Sequence, residues 1–191
     1  MKKRLIALSA FTLYWLAFFF FARLFFILTH YREAFQFGPG ILGSTFLHGI
    51  RLDISATAYV LAIPLMASIV AIWITGDWLR RFLRWYSWVI VFISSAIIVG
   101  DTVLYTYWGF RMDYTAVSYL KNPQEAAASV TTLKIIEVCI TVTAITLLFA
   151  FLYKKLIDSL FKDQEIKSMR ILATLVFMIL TGALIIPIRG G

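Results

Sequence analysis

The sequence predicts an all-α, polytopic membrane protein with five transmembrane helices, its N-terminus inside and its C-terminus outside, plus interfacial amphipathic segments. Composition is the first reason. Hydrophobic residues make up 61% of the 191 residues and charged residues only 15%, whereas soluble domains have about 45–50% and about 25%. The same figures exclude disorder, which requires low hydrophobicity and high charge. The second reason is the presence of five long apolar stretches, and the third is the placement of the basic residues.

Each of the five stretches reaches the roughly 20 apolar residues that cross a hydrocarbon core of about 30 Å. Each is predicted to be helical, because an isolated span must satisfy its own backbone hydrogen bonds in lipid. The first resembles a signal peptide at its start, but its apolar region is too long and no small-residue cleavage site follows, so we interpret it as an uncleaved span. The predicted spans, all in one membrane domain of residues 1–191, are residues 5–29, 54–75, 86–105, 135–153 and 171–188.

The basic residues predict the orientation. With the N-terminus inside, eleven of the 18 Lys and Arg residues lie on the inner side, as the positive-inside rule requires. The net charge of +8 therefore indicates membrane topology rather than nucleic-acid binding. The two inner connections, residues 77–88 and 153–170, also carry aromatic or apolar side chains among the cations. We expect both to lie along the cytoplasmic face, the second as a short amphipathic helix.

The two outer connections are too apolar or aromatic for free loops. Residues 44–53 are expected either to begin the second helix early or to lie flat in the outer interface. Residues 105–132 carry four Tyr and one Trp, whose amphipathic rings favour headgroup depth. We expect this second connection to lie on the membrane surface.

Charged side chains in or near the spans are the candidate functional residues, because such groups are costly and mark either a site or a structural pair. One interpretation pairs Arg23 or Arg51 with Asp101 or Asp53 to hold helices together. The other is a recessed outer pocket in which arginines bind a phosphate and the carboxylates orient them, since the planar guanidinium suits phosphate. The two are compatible. The candidate lipid-headgroup residues are Arg23, His48, Arg51, Asp53, Asp101 and Arg111.

No catalytic centre is visible in the sequence. It contains no Walker loop, nucleotide fingerprint, GxSxG or HExxH motif. Cys139 is the only cysteine, which excludes an internal disulfide, and a Cys/His zinc site is not indicated because only His30 and His48 accompany it. We therefore expect no cofactor in this chain.

Three segments carry a family resemblance that covers essentially the whole chain. FLHGIRLDISATAYVLAIP, VGDTVLYTYWGFRMDYTAVSYLKNP and the final IPIRGG resemble the membrane region of bacterial lipoteichoic acid synthase-like proteins. These are sulfatase-like transferases of phosphoglycerol or phosphoethanolamine in the bacterial cytoplasmic membrane. The resemblance implies an extracytoplasmic catalytic domain with a threonine nucleophile and Mn or Mg, which would begin after Gly191 and is absent from this chain. It assigns no catalytic residue here.

The expected function is therefore to anchor that domain and to present an anionic phospholipid of the phosphatidylglycerol type. The expected partners are membrane lipids and the chain's own extracytoplasmic domain, with no nucleic acid. The chain is interpreted as a truncated piece, a processed fragment or a natural membrane-only relative. Two alternatives are a non-enzymatic module that assembles with a separate partner and a small transporter. The transporter would need midplane polar groups on facing helices or inverted repeats, and neither is apparent.

Overall fold

The structure, a computed structural model, describes residues 1–74, 76–112, 131–162, 166 and 169–190. Most of the predicted aromatic connection, residues 113–130, lies outside the described residues. The described residues form two compact units, Met1–Ser87 with Phe151–Gly191 (unit 1) and Trp88–Ala150 (unit 2). The regular elements in the described ranges are all helical: α1 (Lys2–Thr29), α2 (Tyr31–Ala34), α3 (Pro39–Trp73), α4 (Trp78–Trp108), α5 (Thr132–Leu156), a 3₁₀ helix (Asp158–Phe161), α6 (Arg170–Ala183) and α7 (Ile185–Arg189).

The prediction of an all-helical protein with five candidate spans is confirmed for the described residues. The helices long and apolar enough to cross a membrane are α1, α3, α4, α5, and α6 together with α7. Each predicted span falls on one of them. The helices are, however, longer than the apolar stretches, because charged and aromatic residues beyond an apolar stretch can also be helical.

The largest difference is at the start of α3, which begins at Pro39 rather than at residue 54. Gly38 is extended and Pro39 occupies the first position of the helix, where its missing N–H costs nothing and its fixed φ favours the helical turn. Residues 44–53 are therefore helical, and of the two expectations for this segment the early helix start is the one observed.

The core of unit 1 is built on α1. Phe11, Trp15 and Phe18, spaced three or four residues apart, have no exposed surface, so one face of α1 is the buried one. This helix packs against α3 and the 3₁₀ helix, and α3 packs against α6 and α7. Phe11 makes edge-to-face contacts with Tyr153 and Phe161, with ring centroids 6.2 and 6.4 Å apart. The aromatic side chains thus join the two ends of the sequence into one core.

The segment after α5 differs from the predicted surface helix. The expected amphipathic residues lie partly in a short 3₁₀ helix, in which Phe161 is buried, and Ile157 just before it is buried as well. Leu156 and Leu160 are exposed. The apolar side chains that suggested contact with lipid are thus divided between the core of unit 1 and its surface.

Pro64 leaves a gap in the backbone hydrogen bonds of α3 that α4 fills. Proline has no N–H, so the carbonyl of Val60, four residues earlier, has no intrahelical donor. The hydroxyl of Tyr86 donates to that carbonyl at 2.8 Å. Because a bare carbonyl is costly where water is absent, this bond explains how α3 tolerates an internal proline, and it ties α3 to α4.

Candidate functional site

Arg23 and Asp53 form the ion pair that joins α1 to α3. Arg23 Nη2 donates to Asp53 Oδ1 at 2.7 Å, and the exposed fractions of the two side chains are 15% and 13%. Arg23 Nη1 donates to the carbonyl oxygens of Thr45 at 2.8 Å and of Phe46 at 3.4 Å. This is one of the predicted pairings. With one nitrogen bonded to a carboxylate and another to two carbonyls, Arg23 is part of the helix packing.

Gly49 makes this packing possible, and sequence reasoning did not single it out. It is buried on α3, and a Cβ built on it would lie 0.9 Å from Arg23 Nη1 and 1.7 Å from Arg23 Cζ. The guanidinium therefore occupies the space that a side chain would fill. The only sequence signal was a glycine inside a long helical stretch, which suggests close approach of another group.

Arg51 and His48 lie at the same end of unit 1 as this ion pair, and both are exposed. Arg51 Nη2 donates to the carbonyl of Gly190, just after α7, at 3.2 Å. Among the described residues, no carboxylate lies within ion-pair distance of Arg51. His48 Nδ1 lies 2.8 Å from the carbonyl of Ser44; a carbonyl only accepts, so Nδ1 carries the proton. We call this region, where α1 ends, α3 begins and α7 ends, the Arg51 end.

Asp101 and Arg111 pair within unit 2. Asp101 is buried and accepts from Arg111 Nε at 3.0 Å, from Arg111 Nη2 at 2.6 Å and from the backbone N–H of Met112 at 2.7 Å. The chain can turn back after α4 because Gly109 adopts φ +71°, the left-handed conformation that commonly ends helices. Asp101 therefore fixes the segment that follows α4. The structure places four of the six candidate residues in unit 1 and these two in unit 2.

Arg4 is a buried arginine that the sequence analysis counted only toward topology. Its Nη1 donates to the carbonyl of Ser68 at 3.0 Å and its Nη2 to that of Ala71 at 3.4 Å. Ala71 belongs to the last turn of α3, whose carbonyls have no intrahelical donor. A cation there also suits the negative end of the helix dipole. Arg4 therefore caps α3.

A second missed feature is the clamp formed by Arg80, Arg84 and Asp158. The two arginines stand four residues apart on α4, and both donate to Asp158, Arg84 through Nε and Nη2 at 2.8 Å each and Arg80 through Nε at 2.9 Å. Burial by itself would raise the pKa of Asp158, but hydrogen bonds and charge from Arg84 and Arg80 outweigh it and hold that pKa below its ordinary value. The carboxylate is thus charged at neutral pH. We call this region, where α1 begins, α3 ends and α4 begins, the Asp158 end.

The described residues contain no group of three His, Cys, Asp or Glu side chains placed to hold a metal ion. Compared with models of protein families, with curated proteins and with solved structures, the chain has no match.

Proposed function

We propose that this chain is the membrane domain of a lipoteichoic acid synthase-like transferase in the bacterial cytoplasmic membrane. Its task is to anchor an extracytoplasmic sulfatase-fold domain and to present an anionic phospholipid of the phosphatidylglycerol type for phosphoglycerol transfer. Three quoted sequence segments support the family, and five membrane-length helices fit it. The Arg51 end is the outer one in this proposal.

One observation carries the lipid-presenting role: Arg51 is an exposed cation in the first half of α3, beside the end of α7, with no carboxylate partner among the described residues. Its one hydrogen bond within the described part of the chain uses Nη2. A guanidinium has five N–H donors in a planar fork, so Nε and Nη1 are available to phosphate oxygens. Bidentate pairing of arginine with phosphate is strong and directional, and headgroup phosphates lie at the depth where a span ends.

The other candidate residues have different roles in this proposal. Arg23 and Asp53 neutralise each other, so they hold α1 against α3 and thereby position the turn of α3 that carries Arg51. His48, one turn before Arg51, contributes Nε2 to the headgroup. Arg111 and Asp101 hold the chain after α4. The headgroup site is therefore smaller than the sequence predicted, with Arg51 and His48 at its centre.

The test is lipid retention by the purified chain, measured by native mass spectrometry after extraction in the presence of phosphatidylglycerol or phosphatidylcholine. Wild type should retain phosphatidylglycerol preferentially. Arg51→Gln should lower that retention roughly fivefold, because one cation near anionic lipid contributes about 1 kcal/mol.

Arg32→Gln is the matched control, since Arg32 is exposed on α2 and, among the described residues, its side chain bonds only to Tyr31. It removes the same charge from the segment that follows α1 and should leave retention unchanged. Equal retention of the two lipids by wild type, or an equal loss in both variants, would show that Arg51 holds no headgroup.

A further inference from the structure

The Asp158 end of unit 1 carries a surplus of positive charge. Asp77 and Asp158 are the described carboxylates there, and Asp158 is shared by two arginines. Besides Lys2 and Lys3 at the start of α1, four further cations at this end are exposed, and no described carboxylate lies within ion-pair distance of any of these four. They are Arg81, Lys154, Lys155 and Lys162, which we call the basic face.

The clamp brings the two parts of the basic face together. Arg81 follows Arg80 on α4, whereas Lys154 and Lys162 stand four residues before and after Asp158. Asp158 is 3% exposed and is fixed by four hydrogen bonds from the two arginines. Segments far apart in the sequence are thereby held side by side, with their exposed cations on one end of the unit.

Aromatic rings set the depth of this end in the membrane. Trp85 is 71% exposed and Trp73 is 55% exposed, and amphipathic indole rings favour the headgroup region of a bilayer. Long lysine and arginine stems reach from that depth toward water. Lys155 Nζ also lies 6.0 Å from the ring centre of Phe151. We therefore expect these cations at the level of lipid phosphates.

We infer that the basic face binds anionic phospholipid headgroups in the leaflet at the Asp158 end, and that the clamp on Asp158 assembles it. This surface is distinct from the Arg51 end, at the opposite ends of α1 and α3, and does not depend on the proposed function. The charge surplus selects anionic over zwitterionic lipid, because each cation near an anionic surface strengthens binding several-fold. The exposed indole rings favour a lipid occupant over an acidic protein.

The experiment uses the chain in nanodiscs of phosphatidylcholine that contain a minor share of phosphatidylglycerol. A headgroup-photoreactive phosphatidylglycerol is crosslinked, and its attachment sites are mapped by peptide mass spectrometry. Crosslinks to residues 76–88 and 151–162 should exceed those from the matching phosphatidylcholine probe. The triple variant Arg81→Gln, Lys154→Gln, Lys155→Gln should lower them by on the order of tenfold or more.

Two measurements separate this inference from general charge effects and from misfolding. Raising the salt concentration should weaken crosslinking of the wild-type chain, because exposed charges are screened. Asp158→Asn adds positive charge, so a surface governed by charge alone would be labelled more, whereas one assembled by the clamp is labelled less. The charge-preserving pair Lys154→Arg and Lys155→Arg should be labelled like wild type.

Equal labelling by the two probes, labelling that ignores salt, or increased labelling of Asp158→Asn would each overturn the inference. If an acidic protein occupied the basic face instead, the phosphatidylglycerol probe and the phosphatidylcholine probe would both give only background labelling. Arg51→Gln should leave these peptides unaffected and reduce crosslinks only to residues 39–53. The experiment therefore tests lipid binding at the Asp158 end and at the Arg51 end separately, so one proposal can fail while the other stands.

Discussion

Among the described residues, several arginine side chains donate to backbone carbonyls and not only to carboxylates. Arg4 donates to two carbonyls near the end of α3, Arg23 to two in its first half, and Arg51 to one just past α7. In lipid the five N–H donors of a guanidinium need acceptors, and the carbonyls at helix ends that have no intrahelical donor can supply them. Arg4 and Arg23 are therefore packing groups, whereas Arg51 uses a single donor of its guanidinium among the described residues.

Gly49→Ala tests the Arg23 contact at a single residue. The added methyl carbon would lie 0.9 Å from Arg23 Nη1, so the guanidinium must leave its two carbonyls or α1 must move away from α3. We expect a loss of about 1.5–3 kcal/mol in the free energy of unfolding, the usual net value of hydrogen bonds from a charged group, which Arg23 would give up. Reversible unfolding in detergent micelles measures it.

Gly43→Ala is the matched control, because it lies on the same helix and its added Cβ meets no atom within 4 Å. Alanine normally stabilises a helix relative to glycine by about 0.5–1 kcal/mol, so this variant should be neutral or more stable. The two substitutions should thus differ in sign. If Gly49→Ala were as stable as Gly43→Ala, Arg23 would not rest on the backbone of α3.

At the scale of elements, a hydrogen bond from Tyr86 on α4 to the Val60 carbonyl on α3 links the two helices. Tyr86→Phe removes the donor to the Val60 carbonyl, and Pro64 prevents α3 from replacing it. We expect Tyr86→Phe to cost about 1 kcal/mol of unfolding free energy, the usual net value of a hydrogen bond. Tyr59→Phe, at a tyrosine that is 61% exposed, should cost less.

A double-mutant cycle isolates the cause. Pro64→Ala restores an N–H four residues after Val60, so the helix can satisfy the carbonyl itself. Tyr86→Phe should then cost less in the Pro64→Ala background than in the wild type, a coupling visible above about 0.5 kcal/mol. Additive effects would mean that the tyrosine stabilises the protein by packing and not by completing α3.

Hydropathy predicted the five spans well because lipid permits few alternatives to a helix. It did not predict the start of α3, since a hydropathy window ends where polar residues begin and Pro39 lies 15 residues earlier. The Arg23–Asp53 pair could be predicted from the sequence, because opposite charges at the same depth in the membrane attract each other. Gly49 and the Asp158 clamp were not, because they depend on where a guanidinium rests after the helices have packed.

At the scale of the molecule, α1 and α3 run antiparallel in unit 1. The Arg51 end and the Asp158 end therefore lie at opposite ends of these two helices. Arg4, at the start of α1, meets the last turns of α3, whereas Arg23, late in α1, meets its first half. Of the exposed cations in the described part of unit 1, most lie at the Asp158 end. The positive-inside rule then predicts that this end faces the cytoplasm and that the Arg51 end faces outward.

Cysteine accessibility tests this orientation, after Cys139→Ser has removed the native thiol. Gly40→Cys lies at the Arg51 end, where an added side chain meets nothing within 4 Å, and Ser159→Cys lies exposed at the Asp158 end. A membrane-impermeant maleimide should label Gly40→Cys in intact cells and Ser159→Cys only after permeabilisation. The reverse pattern would put Arg51 in the cytoplasm, where it could not present lipid to an extracytoplasmic enzyme. It would leave the basic face able to bind anionic lipid, because that binding depends on charge and depth and not on which leaflet supplies the headgroup.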